Sequence, residues 1–507
     1  MSSHQWHPSA QDGTLERLLG DSERAFVRGS NGGVGDMFLH LDFIVGKEEM
    51  MDRERVYLAW GMLRVLHPLL MCAVEVEGND FDNAKFSFKV PRTLQDLIAN
   101  ANSALSYETH SREELIDRHM NGPRTHISNA HLSHLTISSS EAKYHIVMTG
   151  PHFTGDGTSL HQSTHDLLAI LSSGKSNTDI KAELEALFTN ASPSWSTLLP
   201  LPVEARLPLP TSRFARAATK VNFLQSRQRE VGDHTLPRLP ADPSRPLHTK
   251  FVEHTFTEEQ SKDVLKKCKQ HGVSINNMLI AICGASWSKL KEKERVAKNA
   301  ERNLLPLMLY TAINLRPFLT PPSSVPTSIP PTYWFLPLTY YTLSLPSYPP
   351  SSDTIWHRAR LAKSQTSRAV KSPFLTGRAR IMAAQRNGSD IPSSSPFALA
   401  KNATLPEHSR SFSEPTPSKA LLGVSLIGNL DNTYVRSEYS AASSAQGYAV
   451  TLHSVTTASK LKPGGLLLLA HTFGGRLWVQ LFWDVNGFQE GVIESWWDGV
   501  VAGIGEL

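Results

Sequence analysis

Cysteine is scarce: Cys72, Cys268 and Cys283 are spread over 507 residues with no CxxC spacing. That excludes a disulfide framework and a thiolate zinc site. Long apolar runs are missing too. No aliphatic run outlasts Leu466 to Ala470, whereas a membrane-spanning helix needs about 20 apolar residues. Charge is low and balanced, with 19% charged residues and a net charge of +4. No dense Lys/Arg block accompanies it, so neither a nucleic acid nor a membrane is expected as a partner. The opening MSSHQWHPSAQDG has no apolar stretch of signal-peptide type, and the closing Gly505-Glu506-Leu507 is not a peroxisomal address. The expectation is a cytoplasmic monomer. Several catalytic signatures are absent as well. Gly32-Gly33-Val34-Gly35 completes neither a P-loop nor a dinucleotide fingerprint. Ser425 lacks the nucleophile elbow, because Ile427 stands where glycine is needed. His161 and His165 have a zinc-compatible spacing without the Glu of HExxH or a third ligand, so no metal is expected there or at His131 and His134.

What the chain does carry is alternating strand and helix patterns. DMFLHLDFIV at 36–45 reads as a strand. Val56, Leu58, Ala59, Met62, Leu63, Val65 and Leu66 recur at helical spacing, His67-Pro68 closes that helix, and Met71 to Val76 reads as a strand. YHIVMTG at 144–150 is a further strand, PHFTGDG a loop, and TSLHQSTHDLLAILSSG a helix with Gly174 as its C-cap. A strand, a glycine-bearing turn and a helix hold polar side chains on rigid supports, which suits catalysis. The Pro-rich stretch 193–250 reads as a crossover between an N-terminal lobe, 1–192, and a C-terminal lobe, 251–507. In the second lobe Thr257 and Gln260 form a capping box, Gly272 ends that helix, and Ser274 starts another that runs through Trp287. Leu304 to Leu315 reads as a strand. Residues 317–352 and 388–418, rich in Pro and Ser, read as exposed loops, the latter poorly ordered. GVSLIGNLD and GRLWVQLFWDV read as strands, and a closing helix begins at Val492.

The sharpest feature is His152-Phe153-Thr154-Gly155-Asp156-Gly157, of the form HxxxDG, at a strand end. Four segments accompany it in order: LRVLHPLL, GVSINNMLIAICGASW, INLRP at 313–317 and GVSLIGNLD at 423–431. The hexapeptide resembles the active-site motif of the CoA-dependent acyltransferase superfamily. That group includes chloramphenicol acetyltransferase, the plant BAHD acyltransferases, alcohol acetyltransferases and the condensation domains of peptide synthetases. The companions resemble its RHPxL, GxTxxxxLxAA, NLRP and SxxGxL segments, so the likeness spans roughly residues 36–490. Two departures stand out. Pro151 occupies the place of the first His of the condensation-domain HHxxxDG, and the DFGWG of BAHD enzymes is missing. The chain most resembles the fungal-type alcohol O-acyltransferases.

The resemblance implies an α/β fold of two similar chloramphenicol-acetyltransferase-like lobes with a tunnel between them and His152 near its centre. It implies transfer of an acyl group, acetyl in the first instance, from acyl-CoA to a hydroxyl of a small secondary-metabolite acceptor, without a metal or an acyl-enzyme. Chemistry agrees: a thioester is already activated, and a neutral imidazole with a reference pKa of ~6.5 can take the acceptor's proton near neutrality. His152 is then the general base. Asp156 is structural, turned away from substrate and paired with Arg316 of NLRP, which as part of the other lobe would fasten the loop across the two. Gly157 permits close backbone approach. The tetrahedral oxyanion needs donors, with Ser425, Asn429 or a backbone N–H of the 155–157 turn as candidates. The eight Arg and Lys residues from Arg358 to Arg386 are either a solvated basic face or an attractor for the CoA phosphates. Alternatives are a carrier-protein thioester as donor, an amine as acceptor, and a non-catalytic relative that binds a small molecule.

Overall fold

A computed structural model describes residues 4–78, 80–210, 212–228, 238–240, 242–298, 306–320, 329–347, 351–386, 422–439 and 448–507. The expected loop 388–418 lies outside the described residues. The chain folds into two compact units. The first comprises Met1–Leu207, Leu315–Pro337 and Asn429–Lys460; the second comprises Pro208–Asn314, Leu338–Gly428 and Leu461–Leu507. This is not the sequential division at 192 and 250. Two stretches beyond residue 250 pack with the N-terminal part, because Val450–Ser459 pairs antiparallel with Met37 to Val45 and Trp334 is fully buried. Nor is the crossover irregular throughout: it holds the helices Trp195–Leu198, Val203–Arg206 and Arg213–Gln228. Pro200, Pro202, Pro208 and Pro210 fall between these helices, where a missing N–H costs little.

The first unit is built on a five-stranded sheet in the order Val450–Ser459, Asp36–Val45, Lys143–Pro151, His134–Ser140, Leu105–Glu108. All neighbours are antiparallel except the last pair. Lys143–Pro151 is therefore central, and Ile146 and Met148 are fully buried. The helices Arg53–Leu66 and Gly157–Leu171 contribute Val56, Ala59, Leu63, Leu160, Leu167 and Leu171 to the core. The spacing of these apolar residues puts them on one stripe of each helix. The second helix ends at Leu171 with Ser172 as its C-cap, two residues before the expected Gly174. A four-stranded sheet, His7–Pro8, Thr14–Leu18, Asp80–Lys89, Ala73–Glu77, completes the unit.

The second unit has a six-stranded sheet in the order Leu338–Leu345, Leu307–Asn314, Gly423–Asn429, Leu466–Phe473, Arg476–Asp484, Thr249–Thr255. The Thr257 and Gln260 capping box opens Glu258–Gln270, and Gly272, at φ +64°, ends that turn in the left-handed region glycine tolerates. Ser274 and Asn277 bond reciprocally at the start of Ile275–Lys298. The stretch 317–352 is not all loop. It contains the strand Leu338–Leu345, whose Leu343 and Leu345 are fully buried.

Candidate active site

His152 follows the last residue of the central strand of the first sheet. Its N–H donates to the Gly35 carbonyl at 3.1 Å, just beyond the Asp36–Pro151 register pair. The loop closes on itself: Thr154 N and Oγ1 both donate to the Pro151 carbonyl, at 3.0 and 2.8 Å. Phe153 is buried against Phe86. The His152 side chain is half-buried, and its Nδ1 lies 2.9 Å from the Gly155 carbonyl. A carbonyl oxygen only accepts, so Nδ1 carries the proton and the lone pair resides on Nε2. Phe26 lies against the imidazole with ring centroids 4.7 Å apart. The loop therefore fixes position, rotamer and tautomer together.

Asp156 is the N-cap of Gly157–Leu171 and is buried. Its Oδ1 accepts the Ser159 N–H at 2.9 Å, and negative charge is favoured at a helix N-terminus. Arg316 then grips it with two bonds, Nη1 to Oδ2 at 2.7 Å and Nη2 to Oδ1 at 2.9 Å. The expected pair thus forms, but it does not join two lobes. Arg316 lies on Leu315–Pro337, which belongs to the same unit as the motif. The same Nη2 reaches Ser159 Oγ at 3.0 Å and the Tyr333 carbonyl at 2.8 Å.

Gly157 starts the helix, and apart from its chain neighbours and its own helix backbone no atom of the described residues lies within 4 Å of where its Cβ would be. Gly155 differs: a Cβ there would meet Ser159 and Trp334 at 3.4 Å. Among the oxyanion candidates, Asn429 is exposed and its Oδ1 accepts the Asp431 N–H at 3.1 Å, so its carboxamide serves a turn. Ser425 is half-buried on a strand of the second unit. The structure therefore gathers His152, Asp156, Gly157 and Arg316, and gives Asn429 a local role.

Three residues beside the motif were not singled out in the sequence. Ser159 is signalled by the D-x-x-S spacing of a capping box. Tyr333 and Trp334 sit in a Pro-rich stretch whose composition reads as surface. Tyr333 donates to Asp166 on the motif helix at 2.6 Å, and its ring lies 4.0 Å from that of His67. Burial pushes the His67 imidazole down to about 3, which keeps it neutral.

The two helix histidines are held by hydroxyl groups. His161 Nδ1 lies 3.1 Å from the Tyr434 hydroxyl and Nε2 3.0 Å from that of Thr457. His165 Nδ1 meets the Tyr439 hydroxyl. Among the described residues no group of three or more His, Cys, Asp or Glu is placed to hold a metal ion. Part of the basic stretch is also committed: Arg358 is buried and donates to the Pro346 carbonyl at 3.0 Å, and Arg378 reaches Asn222 and Ser226. No helix among the described residues is long and apolar enough to cross a membrane.

No family model matches the sequence, and no curated protein matches it. Solved structures do match in shape. One is the TRI3 trichothecene 15-O-acetyltransferase from Fusarium sporotrichioides, with a TM-score of 0.76 and 12% identity over 99% of this chain and 98% of that one. Another is the condensation domain of the monacolin K polyketide synthase MokA, with a TM-score of 0.56 and 10% identity over 97% of each chain. A third is the EpoB cyclization-docking bidomain from Sorangium cellulosum, with a TM-score of 0.56 and 12% identity over 99% of this chain and 87% of that one. The chain therefore has the α/β fold shared by these acetyltransferase and condensation-type proteins.

Proposed function

We propose that this protein is an acyltransferase that moves an acyl group from acyl-CoA to a hydroxyl of a small-molecule acceptor. The observation that carries the reading is the His152 loop, where a hydrogen bond to Gly155 O sets the tautomer and leaves Nε2 as the basic nitrogen. Nε2 takes the acceptor's hydroxyl proton as its oxygen attacks the thioester carbonyl. The tetrahedral intermediate collapses, the C–S bond breaks, and the imidazolium returns the proton to the departing thiolate. Asp156 stays out of this exchange. Its carboxylate is bound by Arg316 and the start of the motif helix, so it stiffens the loop and its charge is neutralised. The match to an acetyltransferase over almost the full length of both chains supports the same reading at the level of fold.

The test is direct. The protein is incubated with a panel of acyl-CoAs and hydroxylated metabolites, and free CoA is read with a thiol reagent. Acceptor-dependent CoA release is expected, and His152→Ala should lower it by roughly 100-fold or more while the circular dichroism spectrum stays unchanged. A fully active His152→Ala protein would remove the base from the mechanism. The condensation-type neighbours favour one second reading, transfer from a carrier-protein thioester. It takes precedence if every acyl-CoA is inert and an acyl carrier protein is not.

A further inference from the structure

Away from the HxxxDG loop, the first unit contains a cavity of about 240 Å³. Arg64, Leu70 and Cys72 are its buried part, Thr14 and Ser87 are half-buried in its wall, and Lys89 is exposed at its mouth. None of its lining residues is acidic, and none comes from the 150–159 stretch.

Arg64 is the unusual group. It is 3% exposed and sits on the helix Arg53–Leu66. Its Nε and Nη2 donate to Asn100 Oδ1 at 3.0 and 2.7 Å, and its Nη1 donates to Ser133 Oγ at 2.8 Å. The face of Trp60 lies 5.2 Å away. All these partners are neutral. A guanidinium has five N–H donors, so two are left over. No Asp or Glu among the described residues is ion-paired with it. Nor is the neighbouring Cys72 a counter-ion, because burial raises its thiol pKa and keeps it neutral. Burial also drags the guanidinium itself down to about 9. An unpaired buried charge is strongly unfavourable, and here it lines a cavity whose mouth carries a second cation.

We propose that this cavity binds an oxyanion, the phosphate or carboxylate group of a small metabolite, with Arg64 as its buried counter-charge and Lys89 as its outer contact. The two spare guanidinium N–H groups match two oxygens of such a group. The Thr14 and Ser87 hydroxyls and the Lys89 ammonium supply further donors. The proposal does not rest on acyl transfer: a protein inert toward every acyl-CoA would still bind the anion.

Calorimetric titration of the full chain with inorganic phosphate, and separately with acetate, tests it at an ionic strength held constant with chloride. One saturable site is expected for at least one of the two anions. Arg64→Met keeps the apolar stem and removes the charge. It should weaken binding about 100-fold, the loss of two charge-assisted hydrogen bonds. Lys89→Ala, at an exposed position, should fold normally and weaken binding about 10-fold; it decides the matter if Arg64→Met fails to fold. Phosphate binding with acetate inert assigns a phosphate-bearing ligand, and the reverse assigns a carboxylate. Absence of saturable binding of both anions, or equal binding by the wild type and the folded variants, overturns the proposal.

Discussion

The Asp156 carboxylate accepts the Ser159 N–H and two nitrogens of Arg316, so its loss acts on helix start and loop at once. Asp156→Asn keeps the size and the cap acceptor but strands the Arg316 charge. Breaking one side of such a pair costs about 3–5 kcal/mol. A fall in melting temperature together with a fall in turnover is expected; unchanged melting would show the pair to be dispensable. Gly157 makes the opposite case. With no other part of the described residues within 4 Å of its missing Cβ beyond its own helix and chain neighbours, Gly157→Ala should leave stability within about 1 kcal/mol, or raise it slightly by helix propensity. If that space admits the reacting groups, the same methyl lowers kcat/KM. Thermal melts and kinetics on one sample separate the two effects, and an unchanged kcat/KM would free Gly157 of any role in substrate approach. Both residues were legible in the sequence, because HxxxDG fixes their order on a strand–turn–helix frame. The packing that sets Gly155 against Ser159 and Trp334 and leaves Gly157 open was not, since it depends on Trp334, far away in the chain.

At the scale of elements, the sequence showed those with a strong period or a marked cap. Arg53–Leu66 follows its apolar stripe, and Glu258–Gln270 starts at its Thr257 box. Regions where proline and serine dominate were misread. The stretch 317–352 reads as exposed loop from its prolines and serines, yet within it lie Tyr333 and the fully buried Trp334. The reason is physical: proline prevents a regular element but does not prevent burial, and the Tyr333 carbonyl of this segment accepts from Arg316 and Ser159. Trp334→Ala should therefore behave as a core truncation beside the motif. A loss of about 3–5 kcal/mol is expected, read as a lower denaturant midpoint with an unchanged slope. A loss below about 1 kcal/mol would mean that the segment only lies over the motif without supporting it.

At the scale of the whole molecule, the number of buried neutral histidines sets the response to acid. His40, His67, His134 and His471 are all buried. Burial holds His67, His134 and His471 down to about 3 and His40 well below its ordinary value. In the unfolded chain each titrates near ~6.5. Between that value and the folded one, the unfolded state binds more protons, so stability falls as pH falls, by up to about 1.4 kcal/mol per pH unit for each group. Asp36 and Glu204 work the other way, because burial raises their carboxyl pKa values and the folded state takes up their protons first. The pKa values of His119 and His145 are also lowered by burial, so the two carboxyls are outnumbered, and their ordinary values lie near pH 4; the histidines therefore govern the window from pH 6.5 down to about 4.5. The melting temperature should accordingly drop by roughly 10 °C or more between pH 7 and pH 5. His67 Nδ1 lies 2.9 Å from the Thr332 hydroxyl; His67→Gln, which removes one titrating group while keeping a side chain able to bond Thr332, should flatten that slope. A melting temperature that stays level from pH 7 to pH 5 would show that these imidazoles are reached by protons without unfolding, and would place their environment far closer to water than their burial implies.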